Sequence, residues 1–103
     1  MNEADTEREY CRWAEKLGAL CLKLRIDGTN GFPDRTFILD NTFVFVEFKR
    51  YDGKLRPMQE VVLEQLRHHN CNWIVTDNLH EAIEFTLECI GRRRGEEETE
   101  DNV

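Results

Sequence analysis

The chain reads as a mixed α/β domain with the element order α-β-β-β-α-β and a closing helix. Three observations predict it. Tyr10, Trp13, Ala14 and Leu17 recur at helical spacing. Residues 20–26, Leu-Cys-Leu-Lys-Leu-Arg-Ile, alternate apolar and polar with the period of a strand. Residues 42–48, Thr-Phe-Val-Phe-Val-Glu-Phe, are apolar on both faces, as a central strand covered on both sides would be.

Each element follows in order. A helix is predicted over about 3–17, stopped by Gly18. The strand 20–26 leads into Asp27-Gly28-Thr29-Asn30-Gly31, a loop of turn formers. Thr36–Leu39 and Thr42–Phe48 flank Asp40-Asn41, residue types that accept the positive φ of a tight hairpin. A turn centred there pairs residues whose numbers sum to 81, so Asp34 stands opposite Glu47. Opposed residues have Cβ atoms roughly 4.5–5.5 Å apart. Two like charges there repel, and a bound cation reverses that cost. Lys49, two residues beyond Glu47, projects from the same face. A Glu47–Lys49 ion pair alone would leave Asp34 unexplained.

Residues 51–54, Tyr-Asp-Gly-Lys, form a turn, and Pro57 opens a helix to about His68. On that helix Gln59 shares the core-facing side with Val62, Leu63 and Leu66, placed either to cap a loop or to orient a group of the site. A strand over 71–76 follows. Asn78 with Glu81 caps a last helix carrying Leu79, Ala82, Ile83, Thr86, Leu87 and Ile90. Beyond Gly91 the chain is almost all charge and is expected to be a mobile tail. The expected division is a domain over 1–91 and a tail over 92–103.

Composition bounds the function. A chain of 103 residues suits one domain, and no apolar run approaches the roughly 18 residues of a membrane span. The polar, acidic start MNEADTEREY is no secretory signal, so a cytoplasmic setting is expected, in a bacterial cell or a phage-infected host. Cys11, Cys21, Cys71 and Cys89 lack metal-ligand spacing and read as buried, reduced cysteines. The net charge of −7 weighs against a nucleic-acid partner until it is divided along the chain: Glu96, Glu97, Glu98, Glu100 and Asp101 carry five of those charges. A basic cluster, Lys49, Arg50, Lys54 and Arg56, follows the acid pair. Lys23 and Arg25 share one face of their strand, either solvated or lining a phosphate path. His68, His69 and His80 read as surface residues, and Trp13 and Trp73 as core.

Gly31-Phe32-Pro33-Asp34-Arg35, Phe45-Val46-Glu47-Phe48-Lys49 and Gly53-Lys54-Leu55-Arg56-Pro57-Met58-Gln59 together resemble the VRR-NUC domain, the virus-type replication-repair branch of the PD-(D/E)xK nucleases. The likeness spans about Glu3 to Ile90 and is to the stand-alone, phage- or bacterium-like type. It implies a restriction-endonuclease-like core and structure-selective, metal-dependent cleavage of DNA, with branched or junction DNA as partner and a homodimer as the working unit. Asp34, Glu47 and the Phe48 carbonyl would hold Mg²⁺ or Mn²⁺. Lys49 would be the catalytic lysine and Gln59 the supporting glutamine. Glu3 or Glu7 would contribute from the first helix, and both fit. Lys23, Arg35, Arg50, Lys54 and Arg56 are the expected DNA-binding residues. The rival readings are a DNA-binding module of the same fold that does not cut, and an accessory factor that binds protein through the acidic tail.

Overall fold

The computed structural model describes residues 1–50 and 52–101, with side chains as far as residue 96. Tyr51 of the expected turn, the last two tail residues, and the side chains of Glu97, Glu98, Glu100 and Asp101 lie outside what is described. The elements are α1 (Glu3–Lys16), β1 (Leu20–Leu22), β2 (Arg35–Leu39), β3 (Thr42–Phe48), α2 (Pro57–His68), β4 (Asn72–Thr76) and α3 (Leu79–Asp101). The order is the one predicted.

The four strands form one sheet in the order β1-β2-β3-β4, antiparallel except for the parallel β3–β4 pair. β2 and β3 pair Leu39 with Thr42, Phe37 with Val44 and Arg35 with Val46, the register expected of a reversal at Asp40-Asn41. Asp40 takes the positive φ, 49°. A parallel neighbour cannot be reached by a tight turn, so α2 carries the crossover from β3 to β4.

Strand alternation divides the residues between two faces. Phe37, Val44, Val46 and Phe48 face α1 and α3 and form the main core with Tyr10, Ala14, Ala82, Cys89 and Ile90. Trp13 stacks on Phe37 at 6.0 Å, and Tyr10 meets Phe48 edge-on at 5.6 Å. Phe45, Glu47, Trp73 and Val75 face the other way, toward α2, whose Leu63 lines a cleft with Trp73 and Val75.

The helix ends are made locally. Asn2 Oδ1 accepts the Asp5 N–H at 2.8 Å and starts α1. Past its end Gly18 takes φ 88°, and the Ala19 N–H returns to the Ala14 carbonyl at 3.1 Å. Asn78 Oδ1 accepts the Glu81 N–H at 2.9 Å and starts α3, as the sequence indicates.

Two expectations change. The strand over 20–26 is only Leu20–Leu22, because its partner β2 starts at Arg35 and the chain beyond folds into a tight turn closed by the Thr29 N–H on the Ile26 carbonyl. The burial is also the reverse of its hydropathy: Cys21 is buried, whereas Leu20, Leu22, Leu24 and Ile26 are 37–55% exposed. β1 is an edge strand, and α2 covers the opposite half of the sheet. The second change is at the C-terminus. α3 does not stop at Gly91 but runs on to Asp101. Arg and Glu are good helix formers, and Arg93 with Glu96, 3.6 Å apart, makes an i,i+3 pair in the extension. No described helix is long and apolar enough to cross a membrane.

One polar link crosses the core. Thr86 donates to the Ala82 carbonyl at 2.8 Å, which leaves the Tyr10 hydroxyl as donor to Thr86 Oγ1 at 2.7 Å. Burial pushes the Tyr10 phenol above its ordinary pKa, so it stays a donor at neutral pH. Tyr10→Phe is expected to cost about 1 kcal/mol, read as a lower denaturant midpoint with an unchanged slope.

Candidate active site

The segment Gly31-Phe32-Pro33-Asp34 is fixed residue by residue. Gly31 has φ 100°, and a Cβ there would lie 2.8 Å from both the Gln59 nitrogen and the Met58 carbonyl carbon. The loop thus lies directly against the first turn of α2, which only glycine permits. Phe32 meets Phe45 edge-on at 5.6 Å, and Pro33 is fully buried. Asp34 then arrives beside the end of β3, where its Oδ2 accepts the Phe48 N–H at 2.8 Å.

Continuing the β2–β3 ladder by one residue past Arg35–Val46 sets Asp34 against Glu47. The two carboxyl groups are close enough to share a hydrogen bond. Glu47 is 4% exposed. Burial first, then the charge of Asp34 and the bond between them, push its pKa up to about 8, against the opposing pull of Lys49 and Arg56. Gln59 is 5% exposed and bridges α2 to the site: its Nε2 donates to Glu47 Oε1 at 3.2 Å, and its Oε1 accepts the Arg56 N–H at 2.8 Å. Of its two sequence readings, capping a loop and orienting a site group, Gln59 does both.

Lys49 lies just beyond β3. Its N–H donates to the Thr76 carbonyl at 2.9 Å, which carries the parallel ladder one step further. Its aliphatic stem lies under the turn at Gly53, where an added Cβ would be 3.4 Å from Lys49 Cγ and 3.1 Å from the Arg50 carbonyl. Asp34, Glu47 and Lys49 therefore share the α2 face.

The first-helix glutamates are engaged elsewhere. Glu7 Oε1 accepts from Arg35 Nε at 2.8 Å and lies 3.7 Å from Lys23 Nζ. Arg35 follows Asp34 directly, so alternation turns it to the α1 face, and Glu7 meets it there. Glu3 Oε1 accepts the Arg50 N–H at 2.8 Å at the chain's exit from β3. Among the described residues no group of three His, Cys, Asp or Glu side chains could hold a metal ion. The expected third carboxylate from Glu3 or Glu7 does not join Asp34 and Glu47. The five basic residues divide as well. Arg35 and Lys23 are tied to Glu7 on the α1 face, Arg50 pairs with Asp52 at 3.3 Å, and Lys54 and Arg56 are exposed between β3 and α2. The helper donors, the Phe48 N–H to Asp34 and the Arg50 N–H to Glu3, carry no sequence signal, because backbone amides look alike in every sequence.

Comparison with solved structures adds a match described as a VRR_NUC domain. It superposes with a TM-score of 0.70 over 82% of this chain and 94% of its own length, at 28% identity. The likeness supports a VRR-NUC domain protein. No family model and no curated protein matches its sequence. The VRR-NUC fold, a mixed four-stranded sheet flanked by helices, implies a nuclease-type function. In this chain the fold brings Asp34, Glu47, Lys49 and Gln59 to one place.

Two predictions follow from this geometry. Gly31→Ala adds a methyl group against α2 backbone at a positive φ and is expected to destabilise the domain by about 2–4 kcal/mol, seen in chemical denaturation. In the unfolded chain Glu47 loses its proton near 4.5, whereas in the metal-free fold it holds it to about 8. Its contribution is therefore full below pH 4.5 and is lost as pH rises to 8. In a chelator, Glu47→Gln should match wild type at pH 4.5 and exceed it at pH 8.5 by on the order of 3 kcal/mol, measured by thermal or urea melts at the two pH values.

Proposed function

We propose that this domain is a divalent-metal-dependent DNA endonuclease that hydrolyses phosphodiester bonds. The observation that carries the reading is the acid pair: Asp34 and Glu47 side by side on one sheet face, each held by its own donor. Placing a buried carboxyl group beside a second acid is unfavourable without a cation. The donors are hard oxygens, the two carboxylates with the Phe48 carbonyl beside them, and they fit Mg²⁺ or Mn²⁺.

Such an ion, when bound, supplies Lewis-acid polarisation of the phosphate and a more acidic water. The chain's own residues do the rest. The Phe48 N–H and the Gln59 amide fix the two carboxylates before substrate arrives, so no reorganisation is needed during the reaction. The Lys49 ammonium stabilises charge developing on the phosphate or orients the attacking water. Exposed Lys54 and Arg56, with Arg50, take the backbone of the substrate. Phosphate contacts of that kind position nucleic acid without reading its sequence. Cutting that depends on DNA structure or ends follows, and a two-fold dimer cleaving both strands of a junction suits it.

A second reading, a DNA-binding module that does not cut, is favoured by the lack of a third acid in the cluster among the described residues. One experiment separates the two: a plasmid and a four-way junction incubated with Mg²⁺ or Mn²⁺ and with wild type, Asp34→Asn or Lys49→Ala. The nuclease reading expects cleavage by wild type and a loss of about 100-fold or more in each variant. Gel-shift binding of the junction without cleavage by wild type supports the module. Equal cutting by all three proteins removes the enzyme reading.

A further inference from the structure

Away from the acid pair, two nucleophilic side chains meet inside the core. Cys11 of α1 and Cys21 of β1 are each 8% exposed, and their Sγ atoms are 2.8 Å apart. A disulfide bond is about 2.05 Å long, so less than an ångström of approach separates the two thiols from bonding distance. Cys71 is half-buried and Cys89 buried, and neither pairs with another cysteine among the described residues. The Arg35 guanidinium lies alongside, donating from Nη1 to the Cys21 carbonyl at 3.2 Å. Its positive charge favours the thiolate of either cysteine. The S–H of Cys21 pulls the Cys11 pKa down, while the bond to Cys11 and burial push that of Cys21 up. The two thiols share one S–H···S contact beside the Arg35 charge, and the thiolate is the attacking species.

We propose that Cys11 and Cys21 form a reversible disulfide site that staples α1 to the edge strand β1 when a small-molecule disulfide oxidises the pair. The Cys11 thiolate attacks one sulfur of that disulfide, forms a mixed disulfide and releases the first small thiolate. Deprotonated Cys21 then attacks Cys11 Sγ, the Cys11–Cys21 bond forms, and the second small thiolate leaves. Two protein thiols are oxidised, one external disulfide is reduced to two thiolates, and the two protons lost by the cysteines protonate them to two small thiols. Access comes through β1, an edge strand of three residues that opens locally at low cost. Both sulfurs lie on the α1 face, opposite Asp34 and Glu47, so the proposal stands independently of the nuclease reading.

The test uses the full chain and oxidised glutathione. After incubation, free thiols are alkylated and the peptides mapped by mass spectrometry, alongside a Cys71→Ala variant lacking the half-buried competitor. The expected result is one intramolecular Cys11–Cys21 bond in both proteins, with Cys89 still alkylatable after unfolding. The oxidised protein should melt about 5 °C higher, reversed by dithiothreitol and absent in Cys21→Ala. Cys11 and Cys21 both recovered as free thiols, or bonds mapping to Cys71 or Cys89 instead, would overturn the site. A mapped Cys11–Cys21 bond with an unchanged or lowered melting temperature overturns the staple.

Discussion

The register between β2 and β3 governs the whole site. Side chains alternate strictly along a strand, so one residue of slip would send Glu47 into the apolar core and Val46 to the site face. Two constraints prevent it. Asp40 takes a positive φ that closes the turn in two residues. Phe37, Val44 and Val46 are fully buried against α1 and α3 and fit only this pairing. The cost of holding two acids together is thus met by packing on the opposite face, where no site residue lies.

Rigidity at the acid pair comes from α2 as much as from the sheet. Its first turn receives the Gly31 backbone at van der Waals limits, and its Gln59 holds Glu47 and the Arg56 amide at once. The helix that covers β3 and β4 is therefore also the clamp on the loop that delivers Asp34. A single element sets the spacing of groups brought from two strands. Orientation of this kind, fixed before substrate binds, is what electrostatic stabilisation requires.

Much of this was legible in the sequence, and the failures have physical causes. Element order, the hairpin register and the shared face of Asp34, Glu47 and Lys49 follow from periodicity and turn chemistry, which are local. The 20–26 strand misled because alternation shows that a segment has two faces without showing which is covered. Tertiary coverage decided that, and α2 lies over β3 and β4 rather than β1. Glu7 stayed open for a related reason: a helical position near the sheet fits either side of the partnership until Arg35, turned away from Asp34 by strand pleating, pairs with it. The helical path beyond Gly91 was hidden by composition, since a run of Arg and Glu suits a solvated helix as well as a disordered segment.

The contact between Glu3 and the Arg50 amide bears on how this protein can be handled at the bench. Met1, Asn2 and Glu3 line a cleft of about 180 Å³ with Arg50 and Asp77, next to the exit of β3 that leads from Glu47 to Lys49. The far stretch of α3, by contrast, runs beside Asn41 and Asn72 at the hairpin end of the sheet. Affinity handles, fluorophores or surface tethers joined ahead of Met1 therefore sit against the Glu3–Arg50 contact rather than at the hairpin end of the sheet.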